Sequence, residues 1–181
     1  MYLPFLESFP EITEIMNVDL SGTSSILSGR RDPRNRAQDA TLTKLPFEKD
    51  WFDCCLCTEV LEHIPDDQAA IRELARCLRP DATLLLSVPH VTSPYDPAHV
   101  RTGYTVEGLT SLLQTNGFSV LAVETCLSGW FSVLLRLWRL QKSSFKRNLM
   151  PRFVVWLFAV ADRFLPVGRN WDLVFLTRKN L

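Results

Sequence analysis

The chain has 181 residues, enough for one domain with a sizeable core, and 46% of them are apolar, which excludes a disordered chain. Twenty Lys and Arg balance twenty Asp and Glu, so the formal net charge is zero and no nucleic-acid partner is expected. Five cysteines, an odd number with three crowded at Cys54, Cys55 and Cys57, argue against a disulfide framework and for reduced thiols in a cytoplasmic protein.

The first residues do not read as a signal peptide, because Pro4, Glu7 and Pro10 interrupt them. EIMNVDL, residues 14 to 20, alternates and predicts a strand ending at Asp19. SGTSSILSGRRDPRNR is polar and turn-rich, a loop with room for a short helix. RAQDATLTKLPF opens with a short strand near 36 to 40. WFDCCLCTE is apolar and unbroken, the pattern of a strand buried on both faces. Pro65, Asp66 and Asp67 open a helix, where acidic groups suit the positive dipole end. Ile71, Leu74, Ala75 and Leu78 repeat at helical spacing, and Arg79-Pro80-Asp81 stops the helix. TLLLSVP is the next buried strand, and VTSPYDPAHVRTGY a long polar loop. TVEGLTSLLQTNGF is a helix stopped by Gly117. FSVLAVETC and NWDLVFLTRK are further strands. Alternating strands and helices predict an α/β fold, a Rossmann-like, mostly parallel sheet with helices on both faces. Ligands then bind at the carboxyl ends of the strands. Asp19, Asp39, residues 58 to 63 and the loop after Pro89 stand there.

These segments together resemble the class I S-adenosylmethionine-dependent methyltransferases, in particular the group related to ubiquinone-biosynthesis methyltransferases. DATLTKLPFEKDWFDCCLCTEVLEHIPD resembles that group's run from its third strand through its fourth. LARCLRPDATLLLSVP resembles its turn and fifth strand, and NGFSVLAVE its sixth. The resemblance spans about residues 14 to 126 and the last strand, within one domain, 1 to 181. Two departures stand out. The seven glycines, at 22, 29, 103, 108, 117, 129 and 168, form no G-x-G, so the family's first strand and glycine-rich loop are missing and the chain is expected to start inside the domain. Asp81 stands where the family usually has glycine; aspartate tolerates a left-handed cap.

The resemblance implies S-adenosylmethionine as cofactor and methyl transfer to a small-molecule or lipid-like acceptor. The missing loop leaves open a non-catalytic remnant that acts as a binding or membrane-surface module. Asp19, beside Leu20, would accept from the cofactor's ribose hydroxyls. Asp39 would accept from the adenine amino group while Ala40 offers its backbone N–H to the ring. Thr58 and Glu59 would face the methionine part or the acceptor, and Leu45 and Phe47 would pack on adenine or belong to the core. Glu59, Glu62 and His63 stand as E-x-x-E-H. This spacing resembles the metal-binding run of some metal-dependent methyltransferases, in which Glu59, Glu62, His63 and His99 would hold a divalent ion, with His90 a less suitable fourth ligand. The alternative is no metal, with the turn a pocket lining or a helix cap. His63 and His99 are then the candidate catalytic bases, since imidazole titrates near neutrality.

GWFSVLLRLWRLQKSSFKRNLMPRFVVWLFAVADRFL reads as a helical insertion, residues 129 to 165, before the last strand. Residues 130 to 164 carry seven cations against Asp162, a net +6, which leaves −6 for the rest. FVVWLFAVA is too short to span a bilayer. An apolar face with basic flanks predicts contact with an anionic membrane surface, as a peripheral protein, or a homodimer face.

Overall fold

The computed structural model describes residues 3–20, 22, 32–93, 96–126, 157, 160 and 171–181. The chain divides into two units, Met1–Phe47 and Glu48–Leu181. The expected insertion, 129 to 165, lies outside the described residues apart from Leu157 and Val160.

In the first unit a single helical turn, α1 (Leu3–Leu6), precedes two strands, β1 (Ile15–Asp19) and β2 (Asn35–Asp39). They pair in parallel, in register from Ile15 opposite Asn35 to Asp19 opposite Asp39. Arg34 fastens the approach to this pair. Its Nη1 donates to the carbonyl oxygens of Phe9 at 2.8 Å and Ile12 at 2.9 Å, and its Nη2 to that of Glu7 at 2.7 Å. The Asp32 carboxylate holds the same guanidinium from the other side, accepting from Nε at 3.0 Å. β1 stops at Asp19, the place that the alternation in the sequence marks, and β2 lies one residue earlier than the strand expected near 36 to 40.

The second unit carries a four-stranded sheet in the order β3 (Phe52–Thr58), β4 (Leu78–Pro89), β6 (Asp172–Lys179), β5 (Phe118–Cys126). β3 and β4 are parallel, and β6 is antiparallel to both β4 and β5. Three strands therefore run one way and β6 alone runs against them. Along β4, Leu84, Leu86 and Val88 are fully buried, and so are their partners Thr177, Phe175 and Leu173 on β6. The Thr177 hydroxyl satisfies itself on the Leu84 carbonyl at 3.1 Å.

Helix α2 (Asp67–Cys77) packs on β4, and α3 (Val106–Thr115) on β5. Both start on a side-chain cap. Asp66 accepts from the Ala69 N–H at 2.8 Å, and Thr105 from the Gly108 N–H at 3.0 Å. Ala70, Ile71, Leu74 and Cys77 form the buried side of α2, and Leu109 and Leu113 that of α3. Gly117 follows α3 with φ 85°, and Asp81 takes φ 65°, as the sequence predicts for both, but Leu78, expected in the helix, instead opens β4, and Arg79-Pro80-Asp81 lie within that strand.

One expectation fails. β3 is not buried on both faces: Cys54 is exposed, Leu56 is 37% exposed, and only Cys57 is fully shielded. Among the described residues β3 is the edge of its sheet, so an apolar run that suits a central strand lies at a border. Cys57 sits on the covered face beside Leu86. Burial pushes its thiol up to about 12, with Glu62 and Glu59 adding to the shift, so it is a packing residue and not a nucleophile.

Candidate active site

In the first unit the structure brings Asp19, Leu20, Asp39 and Ala40 together. Parallel pairing in register puts the two exposed aspartates side by side at the carboxyl ends of their strands. Asp19 Oδ1 accepts from the Leu20 N–H at 2.7 Å, and Asp39 Oδ2 from the Gly22 N–H at 3.3 Å. Two carboxylates there suit a ligand that offers hydroxyl and amino donors. Ala40 corrects the sequence reading in one respect. Its N–H donates to the Asp19 carbonyl oxygen at 2.8 Å, continuing the ladder by one residue, so a ring nitrogen would have to compete for it. Leu45 is buried, as a core residue is.

In the second unit β3 ends at Thr58, half-buried and paired with Ser87 of β4. The chain turns at Glu59, whose φ of 52° is left-handed for a side chain with a Cβ. The Glu59 N–H still pairs with the Ser87 carbonyl at 3.0 Å, and its Oε1 accepts from the Ser87 hydroxyl at 2.7 Å. A single 3₁₀ turn, Leu61–His63, follows. Leu61 enters the core and takes Glu62 with it; both are 0% exposed. Neither Glu62 carboxylate oxygen has a hydrogen-bond partner. Burial pushes this acid up to about 7, and Glu59 adds to the rise. Its own backbone N–H, His63 and Arg101 pull the other way.

The loop after β4 returns to this turn. The Gly103 N–Cα–C unit passes so close to the end of β4 that a Cβ there would meet the Pro89 carbonyl oxygen at 2.5 Å, and its φ is 139°. Only glycine fits that path. The Val100 N–H donates to the Glu62 carbonyl at 2.9 Å, and the Ala98 carbonyl meets His63 Nδ1 at 3.0 Å. His99 thereby stacks edge-on against His63, ring centroids 4.7 Å apart. Arg101 clamps the assembly. Its Nη1 donates to the carbonyls of Leu61 and Ile64 at 2.8 and 2.9 Å, and its Nη2 to that of Pro65 at 3.0 Å.

Of the predicted residues, Glu62, His63 and His99 converge, while Glu59 is turned to Ser87 and stands outside their group. His90 is held elsewhere, with Nδ1 2.7 Å from the Thr92 hydroxyl. Two residues escaped the sequence reading. Arg101 is one, a lone cation in a polar loop. Asp172 is the other: burial pushes its carboxyl up to about 7, and Glu59 and Glu62 add to the rise. It opens β6, and because β6 is antiparallel its first residue lies opposite Pro89, at the end of β4 that carries the site.

An α/β unit with acidic and imidazole side chains at the carboxyl ends of parallel strands is the Rossmann-like arrangement that binds nucleotide-derived cofactors. Comparison with known proteins gives the chain's similarities. Residues 2–86 match the family model described as a methyltransferase domain. A probable S-adenosylmethionine-dependent methyltransferase of Mycobacterium tuberculosis is 31% identical over 125 residues, which cover 65% of this chain and 44% of that protein. The uncharacterized methyltransferase YcgJ of Bacillus subtilis is 31% identical over 110 residues, covering 51% of this chain and 44% of that one. The YcgJ crystal structure superposes with a TM-score of 0.62 at 19% identity, over 97% of this chain and 86% of that chain. That of the [4+2]-cyclase SpnF superposes with a TM-score of 0.67 at 19% identity, over 98% of this chain and 70% of that chain. Over residues 2–86 this chain resembles the methyltransferase-domain family, and the mycobacterial relative it is similar to is described as a probable S-adenosylmethionine-dependent methyltransferase. The match spans 44% of the length of each of these two curated relatives.

Proposed function

We propose that the chain serves methyl transfer from S-adenosylmethionine to a small-molecule or lipid-like acceptor. The observation that carries this is the in-register pair Asp19 and Asp39 at adjoining strand ends, in a chain that resembles this family over residues 2–86. Their exposed carboxylates fit the ribose hydroxyls and the adenine amino group of the cofactor. When bound, S-adenosylmethionine supplies a sulfonium methyl group open to in-line displacement. The protein contributes alignment and exclusion of water. Where the acceptor's proton must leave, His63 and His99 are the candidate bases. Membership of the fold does not by itself fix the reaction, as the cyclase on the same fold illustrates.

Titration with S-adenosylmethionine and S-adenosylhomocysteine by calorimetry tests the reading. With no G-x-G in the chain to cradle the methionine end, binding is expected to be weaker than micromolar, or less than about 8 kcal/mol. Asp19→Ala and Asp39→Ala are each expected to weaken it by about 1–3 kcal/mol. Unchanged affinity in both variants would overturn the assignment. Absence of binding in the unaltered chain would favour the non-catalytic, membrane-surface module.

The net charge of +6 on residues 130 to 164, interleaved with Trp and Phe, supports a lipid-like acceptor met at an anionic surface. No helix among the described residues is long and apolar enough to cross a membrane. Each cation near such a surface adds up to about 1 kcal/mol. The chain is therefore expected to sediment with vesicles in proportion to their phosphatidylserine content at low salt. A chain that stays in the supernatant at every composition would leave that segment a core or dimer element.

A further inference from the structure

We propose that Glu62, His63 and His99 form a binding site for one divalent transition-metal ion. Each offers one ligand atom, and the three atoms lie within 4.8 Å of one another.

The tautomer of His63 decides the chemistry. Its Nδ1 faces the Ala98 carbonyl at 3.0 Å, and a carbonyl can only accept, so Nδ1 carries the proton. The Nε2 lone pair then faces Glu62 Oε1 across 3.5 Å. Nε2 is then the ring nitrogen available to an ion, beside a carboxylate oxygen. A backbone carbonyl on the far nitrogen is also how proteins orient an imidazole ligand.

Glu62 supplies the independent support. Its side chain is 1% exposed and neither oxygen has a hydrogen-bond partner. Buried carboxylates are paired or bind metal, because an uncompensated one costs far more than a hydrogen bond returns. The backbone is organised around the cluster. The hydrogen bond from the Val100 N–H to the Glu62 carbonyl ties the His99 loop to the 3₁₀ turn, so the ligands are positioned together by main-chain contacts.

Two imidazole nitrogens and one carboxylate favour Zn²⁺, Mn²⁺, Fe²⁺ or Co²⁺ over Ca²⁺ and Mg²⁺, which prefer oxygen. Three protein ligands leave a position for water or for an oxygen of a bound molecule. With an ion present the imidazoles are ligands and not bases. The site stands whether or not the chain transfers a methyl group.

The test uses the full chain, without a histidine tag and treated with chelator. Calorimetric titration with Zn²⁺ and Mn²⁺, and the visible spectrum with Co²⁺, are expected to show one ion per chain. His63→Ala and His99→Ala should each weaken binding roughly tenfold or more, and Glu62→Gln likewise. Circular dichroism checks that each variant is folded; should Glu62→Gln not fold, the two histidine variants on the exposed side of the cluster decide. His90→Ala and Cys54→Ala should leave the titration unchanged. No uptake by the unaltered chain, or uptake that survives both His63→Ala and His99→Ala, overturns the proposal.

Discussion

Arg101→Ala is expected to lower the unfolding free energy by about 3–5 kcal/mol, read from denaturant midpoints. The residue was a lone cation in the sequence, but the fold makes it a hub. Its Nη1 donates to the carbonyl oxygens of Leu61 and Ile64 and to the Tyr104 hydroxyl, all between 2.8 and 2.9 Å. Its Nη2 reaches the Pro65 carbonyl at 3.0 Å and Asp67 Oδ2 at 3.5 Å. The side chain is only 24% exposed, so solvent screens these contacts weakly compared with a surface pair. Charged hydrogen bonds contribute about 1.5–3 kcal/mol each and do not add fully, since one side chain makes them all. Deletion also leaves the carbonyls of the 61 to 65 turn without their donor. Arg101→Lys should recover less than half of the loss, because an ammonium cannot serve carbonyls on both arms of a planar fork. A cost below about 1 kcal/mol for the alanine variant would show that the turn holds its shape unaided.

With divalent ions removed by chelator, stability is expected to rise as the pH falls from about 8 to about 5, by about 2–4 kcal/mol. The sign follows from Glu62 and Asp172, whose acids both stand near 7, well above the ordinary values of 4.5 and 3.8. Between the ordinary and the raised values the folded chain holds protons that the unfolded chain has released. Falling pH therefore favours folding across that window and gives nothing more below it. The two rises are not additive, because Glu62 contributes to that of Asp172 and the groups titrate as a set. Asp32 acts in a separate window. Hydrogen bonds from Arg34 hold its carboxyl down to about 2, so its contribution is present at neutral pH and is lost only on strong acidification. Denaturant midpoints across this range, in the unaltered chain and in Glu62→Gln, provide the measurement. The variant should lose the part of the slope that Glu62 contributes and keep the part that burial of Asp172 contributes. Stability that is flat, or that increases toward pH 8, would mean that Glu62 and Asp172 both have compensating partners.

Local physics made much of this protein legible from its residues. Alternation ended β1 at Asp19, and the apolar run of WFDCCLC marked β3. Asp66 capped α2 because a short acidic side chain reaches the first free N–H groups, and Gly117 ended α3 because it takes a positive φ without strain. Each of these outcomes depends on neighbours within a few positions, which is why sequence pattern reports them. The E-x-x-E-H turn was visible for the same reason, as three ionisable groups where a strand hands over to a helix. Tertiary structure alone decided which of them matter together. Glu59 and Glu62 look equivalent in sequence, yet a left-handed residue turns the first to Ser87 and the 3₁₀ turn buries the second. His99 joins them only because the loop folds back over Gly103 and Arg101. Asp172 reaches this end of the sheet only because β6 runs antiparallel, which pairs it with Pro89, 83 positions earlier, and no local periodicity encodes that. Among the described residues β3 pairs on one side only, with β4, so its apolar run is half exposed. Burial and strand order depend on distant partners, and these set the chemistry of the site.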